Sequence, residues 1–199
     1  MARRSKRSNN GQRRAASDTV VRKSFPAPQP LATPTDLKPA EVKAVTEAIN
    51  PLVADAFALY VKTKNFHWHL AGPRFRDYHL MFDEHAEQIL QSIDPLAERV
   101  RRLGGTTIRS ITHISQLQAI ADDNDDFVPA DEMVRRLMED NLAMGKRQRE
   151  AIETCEDHRD SVSANVIQEI LDQTEKRTWF LFESLQRSRD GESQRSSSK

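Results

Sequence analysis

Cysteine is almost absent. Cys155 is the single one in 199 residues, which excludes an internal disulfide and fits a reducing, cytoplasmic compartment. Glycine is scarce too, six in all, and aromatic residues make up 6%. That balance suits a soluble, mostly helical protein. No stretch approaches the roughly 18 consecutive apolar residues of a membrane span, so no membrane partner is expected. The basic N-terminus is not followed by the apolar run of a secretory signal. Net charge is also missing, because 30 basic and 30 acidic residues cancel. The length suits one domain with tails and a real core.

Neutrality hides a strong asymmetry. Residues 1–24 carry eight basic side chains (Arg3, Arg4, Lys6, Arg7, Arg13, Arg14, Arg22 and Lys23) and one acid, Asp18, a net +7. The last fourteen residues are +2, which leaves −9 for residues 25–185. The N-terminal segment is rich in Ser, Asn and Gln and poor in large apolar side chains, so it cannot bury enough surface to fold alone. The run FPAPQPLATPTDLKP extends it, since Pro resists helix. Three parts are expected: a disordered basic tail at 1–35, a folded body at 36–188 and a disordered tail at 189–199. Flexible Arg-rich chain with no base-reading element binds duplex DNA through phosphates, independent of sequence.

Within the body, Val42, Val45, Ile49, Leu52, Val53, Ala56 and Leu59 follow helical spacing. The first helix is placed at about 36–70, N-capped by Thr35 or Asp36 and kinked at Pro51. Ala71-Gly72-Pro73 breaks it. A second helix covers about 74–103 and stops at Gly104-Gly105. ITHISQLQAI forms a short extra helix, and Pro129 opens a third long helix at about 130–156. A turn at 157–161 leads to the fourth, at about 162–188. No strand alternation is present. The expected fold class is all-α: a four-helix bundle of two hairpins, with a short extra helix in the long connection between the second and third long helices.

The segment NFHWHLAGPRFRDYHLMFDE places His and Asp among large apolar residues. With His79 at zero and about 100° per residue, Asp83, Asp94 and Glu98 share one stripe of the second helix. His67 precedes the 71–73 break by about as much as His79 follows it. A short antiparallel turn therefore puts His67, His79 and Asp83 at one height. Imidazole plus carboxylate is a normal ligand set for iron or zinc. Asp83 and Asp94, however, lie about 16 Å apart along a helix, while metal–ligand bonds are roughly 2 Å. One chain cannot close both groups on one ion. An antiparallel two-fold could, each chain supplying half of two equivalent sites.

The runs NFHWH, FRDYHLMFDE and DPLAERVRRLGG resemble those of the Dps family, the mini-ferritins named DNA-binding proteins from starved cells. The resemblance covers about 38–188 and implies a ferritin-like bundle. It implies that His67, His79, Asp83, Asp94 and Glu98 are the ferroxidase ligands, lying between two-fold-related subunits. It further implies a homododecameric shell that oxidises Fe(II), preferably with hydrogen peroxide, stores ferric mineral and protects DNA in the nucleoid. His69 stands where the family usually has Asn, and it should face away from His67.

Plainer readings stand beside these. Glu87 shares the stripe but is read as a salt-bridging group. Trp68 either packs or accepts oxidising equivalents, and His85 is read as surface. Asp122, Asp123, Asp125 and Asp126 are read as a solvated loop. Glu153, Glu156, Asp157 and Asp160 are candidates for an ion-entry pore. No His has Glu three residues before it, which argues against a di-iron centre inside one bundle. The rival of a different class is a nucleoid-packing protein whose metal site is idle or structural.

Overall fold

The computed structural model describes residues 31–196 in backbone and 31–186 in side chains. The eight basic residues between Arg3 and Lys23 lie outside the described residues, as does most of the 1–35 tail. Five helices follow in order: α1 (Pro39–His69), α2 (Phe75–Arg102), α3 (Ile111–Leu117), α4 (Ala130–Asp157) and α5 (Ser161–Ser196). No strand occurs among the described residues. α1 packs on α2 and α4 on α5, as two hairpins. The hairpins meet through α1 against α4 and α2 against α5, and α3 lies against α1. Phe66, Phe82, Leu59, Leu96, Leu137 and Leu181 are all buried at their centre. Each such side chain contributes about 1.5–3 kcal/mol by leaving water.

The ends of the helices have local causes. α1 begins at Pro39, whose fixed φ suits the first helical position. Its N-cap is Lys38, not Thr35 or Asp36. The Lys38 amide donates to Glu41 Oε2 at 2.7 Å, which holds the Glu41 carboxyl below its ordinary range. Thr35 instead takes the amide of Leu37 at 3.3 Å. The helix runs through Pro51. At the corner, Gly72 has φ +116°, a region that side chains with a Cβ rarely enter. α2 stops where Gly104 turns to φ +81°. The amides of Gly104 and Gly105 then return to Arg101 O and Val100 O, both at 3.0 Å. α5 continues to Ser196, past the end expected near 188; the segment from 186 contains no proline to stop it.

Two long-range ties fix the connections. Asp55, 0% exposed on α1, takes the amides of Ala119 at 2.7 Å and Ile120 at 3.1 Å on Oδ1. Its Oδ2 takes the Arg147 guanidinium of α4. Asp160, 4% exposed, caps α5 by accepting the Ser163 amide at 3.0 Å and pairs with Arg99 of α2 at 2.6 Å. One expectation from composition needs correcting. α1 contains an 18-residue window of mean hydropathy 1.2, long and apolar enough to cross a membrane. Half of that window is buried inside the bundle, as befits a core helix.

Candidate metal centre

The corner at residues 70–74 brings the last turn of α1 beside the first turn of α2. His67 and His79 stack there with ring centroids 3.7 Å apart and planes 21° apart. Phe75 stacks on the second ring at 4.9 Å. Each ring reaches across to the other's backbone. His67 Nδ1 donates to His79 O at 2.9 Å, and His79 Nδ1 donates to His67 O at 3.0 Å. A carbonyl oxygen only accepts, so each Nδ1 carries a proton. In the neutral ring Nε2 is then a bare lone pair, the form in which imidazole binds a metal.

Asp83, one turn beyond His79, places Oδ1 3.9 Å from His67 Nε2. The same oxygen takes Lys64 Nζ at 2.7 Å. The Lys64 ammonium is the main reason the Asp83 carboxyl sits below its ordinary range, with the two histidines adding a smaller effect. His67 is buried, whereas Asp83 is exposed. The cluster therefore opens outward from the bundle. Beside it, Tyr60, Lys64, Asp83, Glu84, Glu87 and Gln91 line a groove of about 470 Å³.

Asp94 and Glu98 lie further along α2, both exposed. Glu98 Oε2 takes Arg102 at 2.5 Å. The structure does not bring either of them to the histidines of the same chain. Among the described residues no group of three or more metal-binding side chains is assembled. Two imidazole nitrogens and one carboxylate suit iron or zinc chemically, but they leave coordination positions for donors from elsewhere.

The other candidates sort differently. Glu87 accepts Gln91 Nε2 at 2.9 Å. His69 is exposed and donates Nδ1 to Asn65 O at 2.8 Å, turned from the cluster. Trp68 is 64% exposed, with Lys64 Nζ 5.8 Å from its ring centre. His85 is not a surface residue: it is 5% exposed, and burial, then the charge of Arg177, push its pKa down to about 3. The acidic run lies on a loop with Asp122, Asp125 and Asp126 exposed, as expected, while Arg136 ties Asp123 at 2.7 Å and Asp125 at 2.8 Å. Asp160 is committed to Arg99 and Ser163 and is not a free pore lining. Lys64 was missed from sequence. Its signal is a position three residues before His67, on the same helix face.

Comparisons with known proteins place the fold. A ferritin-like domain matches residues 46–189, so the chain belongs to the ferritin-like class. DNA protection during starvation protein 1 of Deinococcus radiodurans is 30% identical over 73% of this chain and 70% of its own. DNA protection during starvation protein 2 of Bacillus anthracis is 31% identical over 70% of this chain and 94% of its own. Among solved structures, DpsC of Streptomyces coelicolor superposes with a TM-score of 0.74 at 27% identity, covering 77% of this chain and 90% of that one. The Dps protein of Bacillus brevis gives 0.72 at 30%, covering 75% and 99%. Within the ferritin-like class, the chain belongs to the Dps family.

Proposed function

We propose that this protein is a Dps-type mini-ferritin. It oxidises Fe(II), preferably with hydrogen peroxide, stores the ferric product inside a homododecameric shell and protects DNA from oxidative damage. The observation that carries the reading is the crossed His67–His79 pair, which commits both Nδ1 atoms to backbone carbonyls and leaves Nε2 as the metal-binding nitrogen of each ring, that of His67 3.9 Å from Asp83 Oδ1. Fe(II) is the substrate. His67, His79 and Asp83 of one subunit hold it together with Asp94 and Glu98 of the partner subunit. Two ferrous ions supply the two electrons, and solvent the two protons, that reduce one hydrogen peroxide to two waters, so no hydroxyl radical is released. The −9 body favours cation entry. The basic residues Arg3, Arg4, Lys6, Arg7, Arg13, Arg14, Arg22 and Lys23 bind duplex DNA in the cytoplasm without sequence preference, and a multimeric shell adds avidity.

Mixed assemblies test the shared site. His79→Ala and Asp94→Ala each abolish iron oxidation alone. In a dimer of one chain of each kind, one site lacks both ligands and the other lacks neither, so part of the activity returns. Verified mixed dimers without activity would overturn the reading. An idle or structural site, as in a pure nucleoid-packing protein, is the outcome if the wild-type shell shows no peroxide-dependent oxidation. Mass photometry checks the dodecamer. Deleting residues 1–24 should abolish retardation of duplex DNA at low salt and leave iron oxidation intact.

A further inference from the structure

The α1–α2 side of the bundle carries the half-site, with Asp83, Asp94 and Glu98 exposed. The α4–α5 hairpin lies behind it, α4 on α1 and α5 on α2. The outer side of that hairpin is apolar. Leu142 of α4 is 55% exposed, and Trp179 and Phe182 of α5 are 60% and 47% exposed. With Met138, Gly145 and Thr178 they line a groove of about 510 Å³, built from α4 and α5 alone. Gly145 sits inside α4, where glycine weakens a helix. A Cβ there would meet Leu171 Cδ1 at 3.5 Å, an ordinary contact, so packing within the chain does not demand the glycine. Its bareness instead lets another surface approach the floor of the groove closely. The edge is polar and charge-balanced. Arg149 pairs with Glu175 from helix to helix, and Trp179 Nε1 donates to Glu183 Oε1 at 3.2 Å. An apolar centre with an aromatic anchor and a polar edge is the anatomy of a protein–protein interface.

Charge decides what covers it. Arg149 is the one cation among the described residues that line the groove, and Glu175 neutralises it, so the groove is no seat for phosphates. Residues 25–185 carry −9, so copies of the body repel one another. A contact between copies therefore needs apolar surface whose charges are already paired, which is what the groove offers. A two-fold contact on the α1–α2 side joins two chains and stops, so a closed shell needs a further contact on another face. We propose that the α4–α5 groove seats a second copy of this chain and links the two-fold dimers into the shell. The inference rests on the dodecameric reading above and adds to it the face that assembles the dimers.

The test uses the full-length protein. Leu142→Glu and Trp179→Glu put a carboxylate into the groove from different helices. Each should sediment as a dimer at a concentration where wild type sediments as a dodecamer, with the helical content of wild type by circular dichroism. Trp179→Phe keeps the apolar contact and should assemble as wild type does. The Glu-variant dimers should keep iron oxidation per chain, since both halves of each shared site remain. Glu variants that still form the full shell overturn the proposal and leave the dodecameric reading standing. Folded monomers overturn it as well, because they assign the two-fold contact to the groove. A wild type that is itself a dimer overturns the dodecamer and this proposal together. If the Glu variants fail to fold, Trp68→Phe decides, because it leaves Trp179 as the single Trp of the chain. Acrylamide should quench that Trp several-fold less in the shell than in the unfolded chain; equal quenching overturns the proposal.

Discussion

Replacing Asp55 by Ala tests what fixes the long connection between α2 and α4. Asp55 is 0% exposed and serves three donors: the amides of Ala119 and Ile120 and the Arg147 guanidinium. The Arg147 side chain is 25% exposed, so it is left partly buried without its counter-charge. The amide of Ile120 sits in a buried bond and loses its acceptor. Breaking a buried pair from one side costs about 3–5 kcal/mol, and an orphaned amide about 1–3 kcal/mol within that sum. With an m-value of about 2 kcal/mol/M, the urea midpoint should fall by roughly 2 M. Both proteins must be compared at one concentration, because assembly contributes to apparent stability. Asp55→Ala combined with Arg147→Met should regain a good part of the loss, since removing both partners leaves no stranded charge. A single variant within about 1 kcal/mol of wild type would refute this, being less than the smallest cost of a stranded buried charge. A double variant no better than the single would refute it as well.

Lys64→Met should free Asp83 Oδ1 and tighten Zn(II) binding at the cluster several-fold by calorimetry; weaker binding would mean that Lys64 assists the site. Gln148 is 0% exposed and neither of its amide atoms has a partner among the described residues, so Gln148→Met should stabilise the protein by about 1–3 kcal/mol in urea unfolding; a loss of stability would contradict it. Burial pushes the Cys155 thiol up to about 12. At neutral pH it should therefore resist alkylation in the folded protein and react fully only in denaturant; rapid labelling of the native shell would show the thiol to be accessible.

The sequence made some features legible and concealed others for identifiable reasons. The His67, His79 and Asp83 grouping could be read because it depends only on helix period and a short corner. The helix ends at Gly104 and Pro129 could be read because Gly and Pro act locally. Helical phase points His85 to the surface only if the stripe of His79, Asp83, Asp94 and Glu98 faces inward, and phase alone does not say which way a stripe faces. Asp83, Asp94 and Glu98 are exposed, so the opposite side of α2, where Tyr78, Phe82, His85 and Ile89 fall, is the core. Asp123 with Arg136 and Asp160 with Arg99 join residues far apart in the chain, and no periodicity announces such pairs. Thr35 is a good capping residue by type, yet Pro39 and Glu41 set the start of α1.

The two crossed bonds between His67 and His79 make the corner and the donor set a single object. Each imidazole is locked by the other's main chain, so the conformational freedom that a metal would otherwise have to remove was already lost when the hairpin closed. Neither ring needs to change tautomer on binding, and neither can swing away without releasing the end of the opposite helix. An extra residue inserted at Gly72 would accordingly misalign both rings and fray both helix ends together. The cluster thus gauges whether the first hairpin has formed.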